Sequence, residues 1–185
     1  QSNSYIAFKL TGAVTQDVSQ GYGLHCFNMK KGCWDEKMCK RLGIPMEFLP
    51  EICDCDYVVG TVTGKAAAEC VLVEGTPVVA GGLDAACGTL GAGVIHSGET
   101  QEQGGQAGGM SICTEEYKAD PRLILSYHVV PGKWLLQGGT TGGGGVMRWF
   151  EREFADYERM MKEQTGASSL DQLNKIAEKV APGCE

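Results

Sequence analysis

The chain has 185 residues, 43% of them hydrophobic, and a formal net charge of −7 at pH 7. Its length and apolar content fit a globular protein with a core in one domain or two small ones. The acidic balance argues against a nucleic-acid-binding surface. Because no run of 18 apolar residues occurs, the sequence predicts neither a membrane-spanning helix nor a membrane partner.

The predicted elements of the first half are short. They are a helix near 4–10, a strand at 23–28, a helix at about 35–42, a strand at 58–59 and an Ala-rich helix at 64–71. Asp35 is the expected N-cap of the second helix, since an Asp side chain accepts hydrogen bonds from the first free amides of a helix. The first three residues are set aside as a cloning remnant.

Asp84 stands between a predicted buried strand, Val78–Ala80, and a predicted helix of small residues. Gly81 and Gly82 let the backbone between them approach a neighbour closely. Active sites of α/β folds lie at such strand ends, and the dipole of a helix favours an ionised carboxylate at its N-terminus. Asp84 is therefore a candidate general base. The alternative is that Asp84 only caps the helix.

The composition becomes glycine-rich after Ser97-Gly98. The segment 103–109 fits two interpretations, a nest of backbone amides that binds phosphate or a plain β-hairpin. It is not a Walker A loop, because no Gly-Lys-Ser/Thr follows the glycines. The glycines of 138–145 precede a helix predicted from near Val146, so they either bind an anion at its N-terminus or leave Thr140 or Thr141 to cap it.

Two predicted helices end the chain. The first carries an apolar stripe that we expect in the core, made of Val146, Trp149, Phe150 and Phe154. The second runs from a cap at Ser168 or Ser169 to about Val180. His128 lies in an apolar run, so we expect a buried histidine whose hydrogen bonds are satisfied rather than a metal ligand.

Nine cysteines are scattered along the chain, and no C-x2-C pair occurs. The closest pair is Cys53 and Cys55, and zinc sites need a more compact set of Cys and His ligands. We therefore expect no metal site and nine free thiols, including Cys184. Free thiols are typical of a protein kept in the reducing cytoplasm.

The segment Gly81-Gly82-Leu83-Asp84, followed by 88–93, resembles the catalytic-base motif of the FGGY carbohydrate kinases, and of xylulose kinases in particular. Other segments agree with the family in order and spacing. They are 5–12, Thr15 with Asp17 and Ser19, 34–35, 42–44, 49–50, 59–63, 128–134, 138–143 and 148–150. The resemblance covers nearly the whole chain.

This resemblance implies an α/β fold of the ribonuclease-H-like, actin-like ATPase type, present only in part and covering parts of two domains. Residues 1–97 are the expected C-terminal part of the first FGGY kinase domain, and 98–185 the N-terminal part of the second. The Asp-x-Gly-Thr hairpin that begins the family does not occur here. The family's adenine-binding segment lies beyond the matched region, so we expect an internal fragment of a longer kinase.

The resemblance also implies a reaction, the transfer of the γ-phosphate of ATP to a pentulose such as D-xylulose, with Mg²⁺ on the phosphates. Asp84 would accept the proton of the attacking hydroxyl, and Asp17 and Asp84 would face the sugar. The ATP phosphates would lie against Gly105, Gln106, Ala107, Gly108, Gly139 and Thr140. Gln106 and Ala107 stand where the family has hydroxyl residues.

Three alternatives stay open at the level of sequence. In the first, the substrate is another family sugar, such as gluconate or ribulose. In the second, the chain is a catalytically inactive fragment that serves only as a binding or assembly module. Such a fragment could self-associate as a homo-oligomer. A Rossmann dinucleotide-binding domain is disfavoured, because no G-x-G-x-x-G follows the first strand.

Overall fold

The computed structural model of the chain describes residues 1–181 and Gly183. In the first half, helices and short strands follow each other in this order: α1 Ser2–Thr11, β1 Thr15–Asp17, a 3-10 helix Val18–Gly23, β2 Phe27–Asn28, β3 Cys33–Trp34, α2 Glu36–Leu42, a 3-10 helix Met46–Phe48, β4 Glu51–Cys53, β5 Val58–Thr61, α3 Gly64–Cys70, β6 Pro77–Val79 and α4 Asp84–Gly91.

The second half begins with strands and ends with helices. The elements are β7 Thr100–Gly104, β8 Gly108–Thr114, β9 Ile124–Tyr127, β10 Trp134–Thr140, α5 Gly144–Phe154, α6 Asp156–Thr165 and α7 Ser169–Ala177. Strands β7, β8, β10 and β9 form a four-stranded sheet in that order. The predicted thiol of Cys184 and the predicted domain end at residue 185 lie outside the described residues.

Side-chain caps start three of the helices. Asp35 accepts a hydrogen bond from the Met38 amide at 3.0 Å, as predicted, and this bond lowers the pKa of the Asp35 carboxyl. Thr63 caps α3 through its side-chain oxygen, and Ser168 caps α7. These bonds satisfy amides that have no partner within the helix, so local sequence fixes where these helices begin.

Two small sheets carry the residues around Asp84. β1 pairs in parallel with β4, which sets Asp17 opposite Cys53. β5 pairs antiparallel with β6, with a register shift between Val58 and Gly60. Both pairs bring together segments that are distant in sequence, so the loop after β6 and the end of β1 become neighbours.

A small apolar core lies beneath α4. Ala86 of α4 clusters with Val94, with Cys113 of β8 and with Leu135 of β10, and Leu83 packs against the same cluster. Ala86, Cys113 and Leu135 are 0% exposed. The small side chains of α4 therefore let the helix lie close to the sheet, which fixes the helix that begins at Asp84.

The chain forms two compact units. Unit 1 comprises residues 1–101 and 110–138, and unit 2 comprises residues 102–109 together with the chain from 139 onward. The division that we predict at residue 97 concerns the two domains of a whole kinase and stays a prediction.

The structure corrects two predictions about elements. The strand predicted at 23–28 shrinks to Phe27–Asn28, because Gly23 ends a 3-10 helix and residues 24–26 form a turn, in which the Phe27 amide donates to the Leu24 carbonyl at 2.9 Å. A Cβ at Gly21 would lie 2.3 Å from the Phe27 ring, so this ring packs directly on the helix backbone. The apolar stripe predicted to be core on α5 is exposed, and no residue of that helix is buried.

Among the described residues, no helix has the length and apolar character needed to cross a bilayer. The same residues hold no group of three or more His, Cys, Asp or Glu side chains able to bind a metal ion. His128 is buried, as predicted, and its Nε2 lies 3.0 Å from the Val94 carbonyl oxygen.

Candidate active site

Asp84 is the first residue of α4, and its side chain is exposed. The helix N-cap is Leu83, which provides no side-chain cap. Asp84 is therefore not the N-cap residue. Its carboxylate nevertheless accepts a hydrogen bond from the Ala85 amide at 2.7 Å, so it satisfies one free amide in the first turn of the helix. An ionised carboxylate is favoured at this position by the helix dipole, and it stays open to a reacting group.

A cavity of about 310 Å³ borders Asp84 within unit 1. Its other lining residues are Ser2, Asn3, Gln20, Gly82 and Leu83. Amides and hydroxyls that donate and accept hydrogen bonds suit a ligand with several hydroxyl groups. The carboxylate of Asp84 therefore borders a space that also offers amide and hydroxyl groups to a ligand with several hydroxyls.

Asp17, at the end of β1, is 1% exposed. Its carboxylate accepts hydrogen bonds from five residues that together with it form the Asp17 cluster, namely Asn3, Gln16, Ser19, Gln20 and Cys55. Every contacting group is a donor, which suits an ionised carboxylate because it can only accept. A sugar hydroxyl would reach Asp17 only by displacing one of them, so its assignment to the sugar stays a prediction.

The loop that leads to Asp84 is held at three points. The Ala80 carbonyl accepts from the Asn3 side-chain amide at 3.1 Å. The Gly81 amide donates to the Cys55 carbonyl at 3.0 Å. The Leu83 amide donates to the Ser19 hydroxyl at 2.8 Å. The backbone before Asp84 is therefore held by hydrogen bonds at Ala80, Gly81 and Leu83.

Gly81 and Gly82 have different reasons to be glycine. Gly81 has a φ of +75°, which a side chain would strain. At Gly82, a Cβ would lie 2.5 Å from Cγ1 of Val129 and 3.2 Å from the Ser19 hydroxyl. The predicted close approach of the backbone is confirmed at Gly82, where the neighbours are protein side chains of unit 1.

The glycine-rich segment after β7 forms a tight hairpin within unit 2. Residues 105–107 turn the chain from β7 into β8, and the Gly105 amide donates to the Ala107 carbonyl at 3.0 Å. The β-hairpin interpretation is thus confirmed for the backbone. Its use as a phosphate site stays a prediction.

The start of α5 is bonded to this hairpin. The amides of Gly143 and Gly144 donate to the carbonyls of Gln106 and Gly105, at 2.9 and 2.7 Å. The Gly145 amide also donates to Gln106, at 3.2 Å. An anion at this end of the helix would have to displace these carbonyls, which weakens the predicted anion site there.

All six residues predicted to face ATP come together in unit 2. A Cβ at Gly108 would lie 3.3 Å from the Thr140 hydroxyl, and one at Gly139 would lie 3.3 Å from the Gly108 carbonyl oxygen. Thr140 donates to the Gly142 carbonyl at 3.0 Å rather than capping α5. The two glycine segments are therefore one structural feature.

Sequence reasoning missed four residues around these sites. Asn3 was set aside with the first three residues, yet it lies in α1 and bonds both Asp17 and Ala80. Gln20 has no signal in the sequence. Arg148 and Met147 line a cavity of about 350 Å³ beside Gly105 and Gln106. Their position on α5, one turn from the glycines, is the signal that could have found them.

Among the cysteines of the described residues, Cys55 belongs to the Asp17 cluster. Eight are free thiols there, and those at 26, 39, 55 and 113 are buried. Burial raises the pKa of the Cys55 thiol to about 12. Such a thiol stays protonated at neutral pH and is a poor nucleophile.

Comparison with known proteins assigns the first half of the chain to a family. Residues 1–91 match the FGGY family of carbohydrate kinases, N-terminal domain. The autoinducer-2 kinase of Yersinia pestis (strain Pestoides F) is 29% identical over 183 residues, which is 98% of this chain and 34% of that kinase. The autoinducer-2 kinase of Yersinia pseudotuberculosis serotype O:3 (strain YPIII) gives the same values.

Solved structures of sugar kinases have the same fold. The xylulose kinase from Rhodospirillum rubrum is 28% identical, with a TM-score of 0.83 over 98% of this chain and 36% of that one. The ligand-bound xylulose kinase from Lactobacillus acidophilus has a TM-score of 0.82 at 24% identity, over 98% of this chain and 35% of its own. The predicted α/β, actin-like kinase fold is confirmed. This chain spans about a third of the length of these relatives.

Proposed function

We propose that this chain is part of a longer ATP-dependent sugar kinase that transfers the γ-phosphate of ATP to a pentulose such as D-xylulose. The observation that carries the proposal is Asp84, an exposed carboxylate at the start of α4, after a loop held by hydrogen bonds, beside a cavity lined by Asn3 and Gln20. The family and the likeness to a xylulose kinase structure support the reaction class.

Asp84 would act as the general base. The sugar hydroxyl would occupy the cavity and donate a hydrogen bond to the carboxylate, which would take its proton as the oxygen attacks the γ-phosphate. Phosphoryl transfer depends mostly on position and charge stabilisation, so a carboxylate held by its own helix start is well suited to orient the hydroxyl. Asn3 and Gln20 would bind other hydroxyls of the sugar.

The hairpin 105–108, with Gly139 and Thr140, would face the phosphates of ATP. Small residues let the backbone amides approach an anion closely. Arg148 borders the same cavity and supplies a positive charge. Mg²⁺ typically binds one or two carboxylates together with substrate phosphates. It would be held on the ATP phosphates and would neutralise part of their charge.

The identity of the sugar has a second candidate. Relatives that share 29% of their residues with this chain over nearly its whole length are autoinducer-2 kinases. Autoinducer-2 is therefore the alternative acceptor, and gluconate and ribulose complete the panel of compounds to test. We place the whole kinase in the cytoplasm, where its free thiols would stay reduced.

Kinetics of the whole kinase test the proposal. Asp84→Asn should lower kcat by about 10² or more, since general-base catalysis typically contributes 10²- to 10⁴-fold, and should leave the affinity for ATP nearly unchanged. Gly105→Val should instead weaken ATP binding more than sugar binding. A Cβ at Gly105 meets only the Ala107 carbonyl oxygen, at 3.9 Å, so this variant should fold.

Two results would contradict these roles. An Asp84→Asn enzyme that keeps most of its turnover would remove Asp84 from the chemistry. A Gly105→Val enzyme that loses ATP and sugar binding equally, or neither, would remove the hairpin from the phosphate site. If no compound of the panel is phosphorylated by the whole kinase, the alternative of an inactive binding or assembly module stands.

A further inference from the structure

Three members of the Asp17 cluster contact both the Asp17 carboxylate and the loop 80–83. Asn3 donates to Asp17 Oδ2 at 2.8 Å and to the Ala80 carbonyl at 3.1 Å through the same nitrogen. Cys55 contacts Asp17 Oδ1 through its thiol at 3.8 Å and accepts the Gly81 amide at its carbonyl. Each residue therefore joins Asp17 to the loop that leads to Asp84.

Ser19 makes the third and most direct connection. Its hydroxyl donates to Asp17 Oδ1 and accepts the Leu83 amide at 2.8 Å. A hydroxyl has one proton, so giving it to Asp17 turns an oxygen lone pair toward Leu83. Leu83 is the N-cap residue of α4 and directly precedes Asp84. The orientation of a 0% exposed serine thus depends on Asp17 and fixes the residue before the base.

Burial makes this arrangement rigid. Asp17 and Ser19 are both almost fully inaccessible, and hydrogen bonds in such surroundings are stronger than in water while unpaired groups are costly. A Cβ at Gly82 would lie 3.2 Å from the Ser19 hydroxyl and 3.3 Å from the Cys55 sulfur. The loop 80–83 therefore has no space to move toward the cluster. If it moved away, it would lose its hydrogen bonds to Asn3, Cys55 and Ser19.

We propose that Asp17 is the positioning residue of Asp84: its buried carboxylate orients Asn3, Ser19 and Cys55, which together set the path of the loop 80–83 and the direction of the Asp84 side chain. Asp17 touches no substrate in this role. The inference rests on the proposed function of Asp84 as the base, and it assigns to Asp17 an indirect part in the same reaction.

Kinetics of the whole kinase test the role through paired variants. Asp17→Asn keeps the shape of the side chain but turns one acceptor into a donor. It should lower kcat at least about tenfold with little change in KM for ATP, because misplacing a catalytic group costs turnover before binding. The matched control is Asp35→Asn, the same change at another residue that accepts a backbone amide; its kcat should stay within about twofold of wild type.

A double variant separates positioning from stability. If Asp17 acts through Asp84, then Asp17→Asn should cost nothing further in kcat when combined with Asp84→Asn, since residues that act as a unit are not additive. An equal loss in both backgrounds would overturn the inference. If the Asp84→Asn enzyme is active, the proposed function itself is wrong. If the Asp84→Asn enzyme is inactive but the Asp17→Asn enzyme is fully active, only the positioning role of Asp17 is wrong.

The 185-residue chain gives a readout that needs no catalysis. Ser19→Ala removes the acceptor of the Leu83 amide, so hydrogen exchange at Leu83 should become about tenfold faster. Ser126→Ala is the matched control, because Ser126 is also 0% exposed and bonds Gln137 at 3.0 Å, with no link to the loop. Exchange at Leu83 that is unchanged in Ser19→Ala, or equally faster in both variants, would overturn the inference even if Asp17→Asn fails to fold.

Discussion

At the scale of single residues, His128 shows how one side chain makes stability depend on pH. The ring is 2% exposed, and its Nδ1 accepts the Val130 amide at 2.9 Å. A protonated ring has no acceptor nitrogen, so the charged form loses this bond. Burial, together with the positive charge of Lys133, lowers the pKa of His128 from its ordinary value of 6.5.

We expect the free energy of unfolding to fall as the pH drops below about 6.5. As the pH falls, the unfolded chain binds the proton of His128 before the folded chain does. The contribution of neutral His128 to the free energy of unfolding is therefore fully present above pH 6.5, and it is lost as the pH falls toward the lower pKa of the folded state. The slope from one proton cannot exceed about 1.4 kcal/mol per pH unit. Urea unfolding at pH 7.5, 6.5 and 5.0 measures how the free energy of unfolding changes with pH.

His128→Gln should flatten this slope, whereas His25→Gln, at an exposed position, should leave it unchanged. If both variants keep the slope of the unmodified chain, His128 is not its source.

Asp84 and Asp17 show what sequence predicts about individual side chains. The place of Asp84 at a strand-to-helix turn follows from neighbours within ten residues, so the sequence predicts it. The burial of Asp17 depends on Asn3 and Cys55, which reach it from other elements. No periodicity or spacing encodes such contacts, so Asp17 could be recognised as special only through resemblance.

At the scale of elements, the glycines before α5 serve backbone packing. A Cβ at Gly143 would lie 2.6 Å from the backbone of Ala107 and Gly108, and one at Gly144 would lie 2.7 Å from the Gly105 carbonyl oxygen. The helix start and the hairpin therefore touch backbone to backbone. The run of glycines follows from this contact, whatever ligand the hairpin binds.

We expect Gly143→Ala to lower the free energy of unfolding by about 1–3 kcal/mol, the usual cost of overpacking. Its Cβ meets backbone atoms, which cannot rotate away. Gly104→Ala is the matched control in the same hairpin, since no atom lies within 4 Å of its Cβ position; it should change stability by less than about 0.5 kcal/mol. Equal losses in denaturant unfolding of the two variants would contradict the packing argument.

The starts of helices that carry a side-chain cap are the features that the sequence predicts best. Asp35 and Ser168 start their helices as expected, because a cap acts over three residues. The strand at 23–28 was mispredicted, since the Phe27 ring folds back onto Gly21 and turns the chain there. Sequence also missed α6, whose start provides no side-chain cap.

At the scale of the whole molecule, unit 2 exposes an apolar surface on its helices. Phe154 is 64% exposed and contacts the rings of Trp149 and Phe150, which are 46% and 40% exposed. Tyr157 of α6 is 63% exposed. The amphipathic pattern indicates an apolar helix face, but it does not say whether the described chain covers that face, and here the face is exposed. Exposed apolar patches of this kind mark contact surfaces.

We expect the 185-residue chain to self-associate through this surface. Light scattering over a range of concentrations should show a dimer or larger species, and Phe154→Ser should shift the chain toward the monomer. Val71→Ser removes a 95% exposed side chain of unit 1 and should have no such effect. A clean monomer of the unmodified chain at high concentration would contradict the prediction.

The bonds between the hairpin and α5 set an order of events during protein synthesis. The carbonyls of Gly105 and Gln106 are made about 38 residues before the amides of 143–145 that bond them. At about 5–20 residues per second, the nascent hairpin waits roughly 2–8 seconds for its partners. In that interval its carbonyls are bonded to water, so unit 2 closes only after the first turn of α5 has been translated.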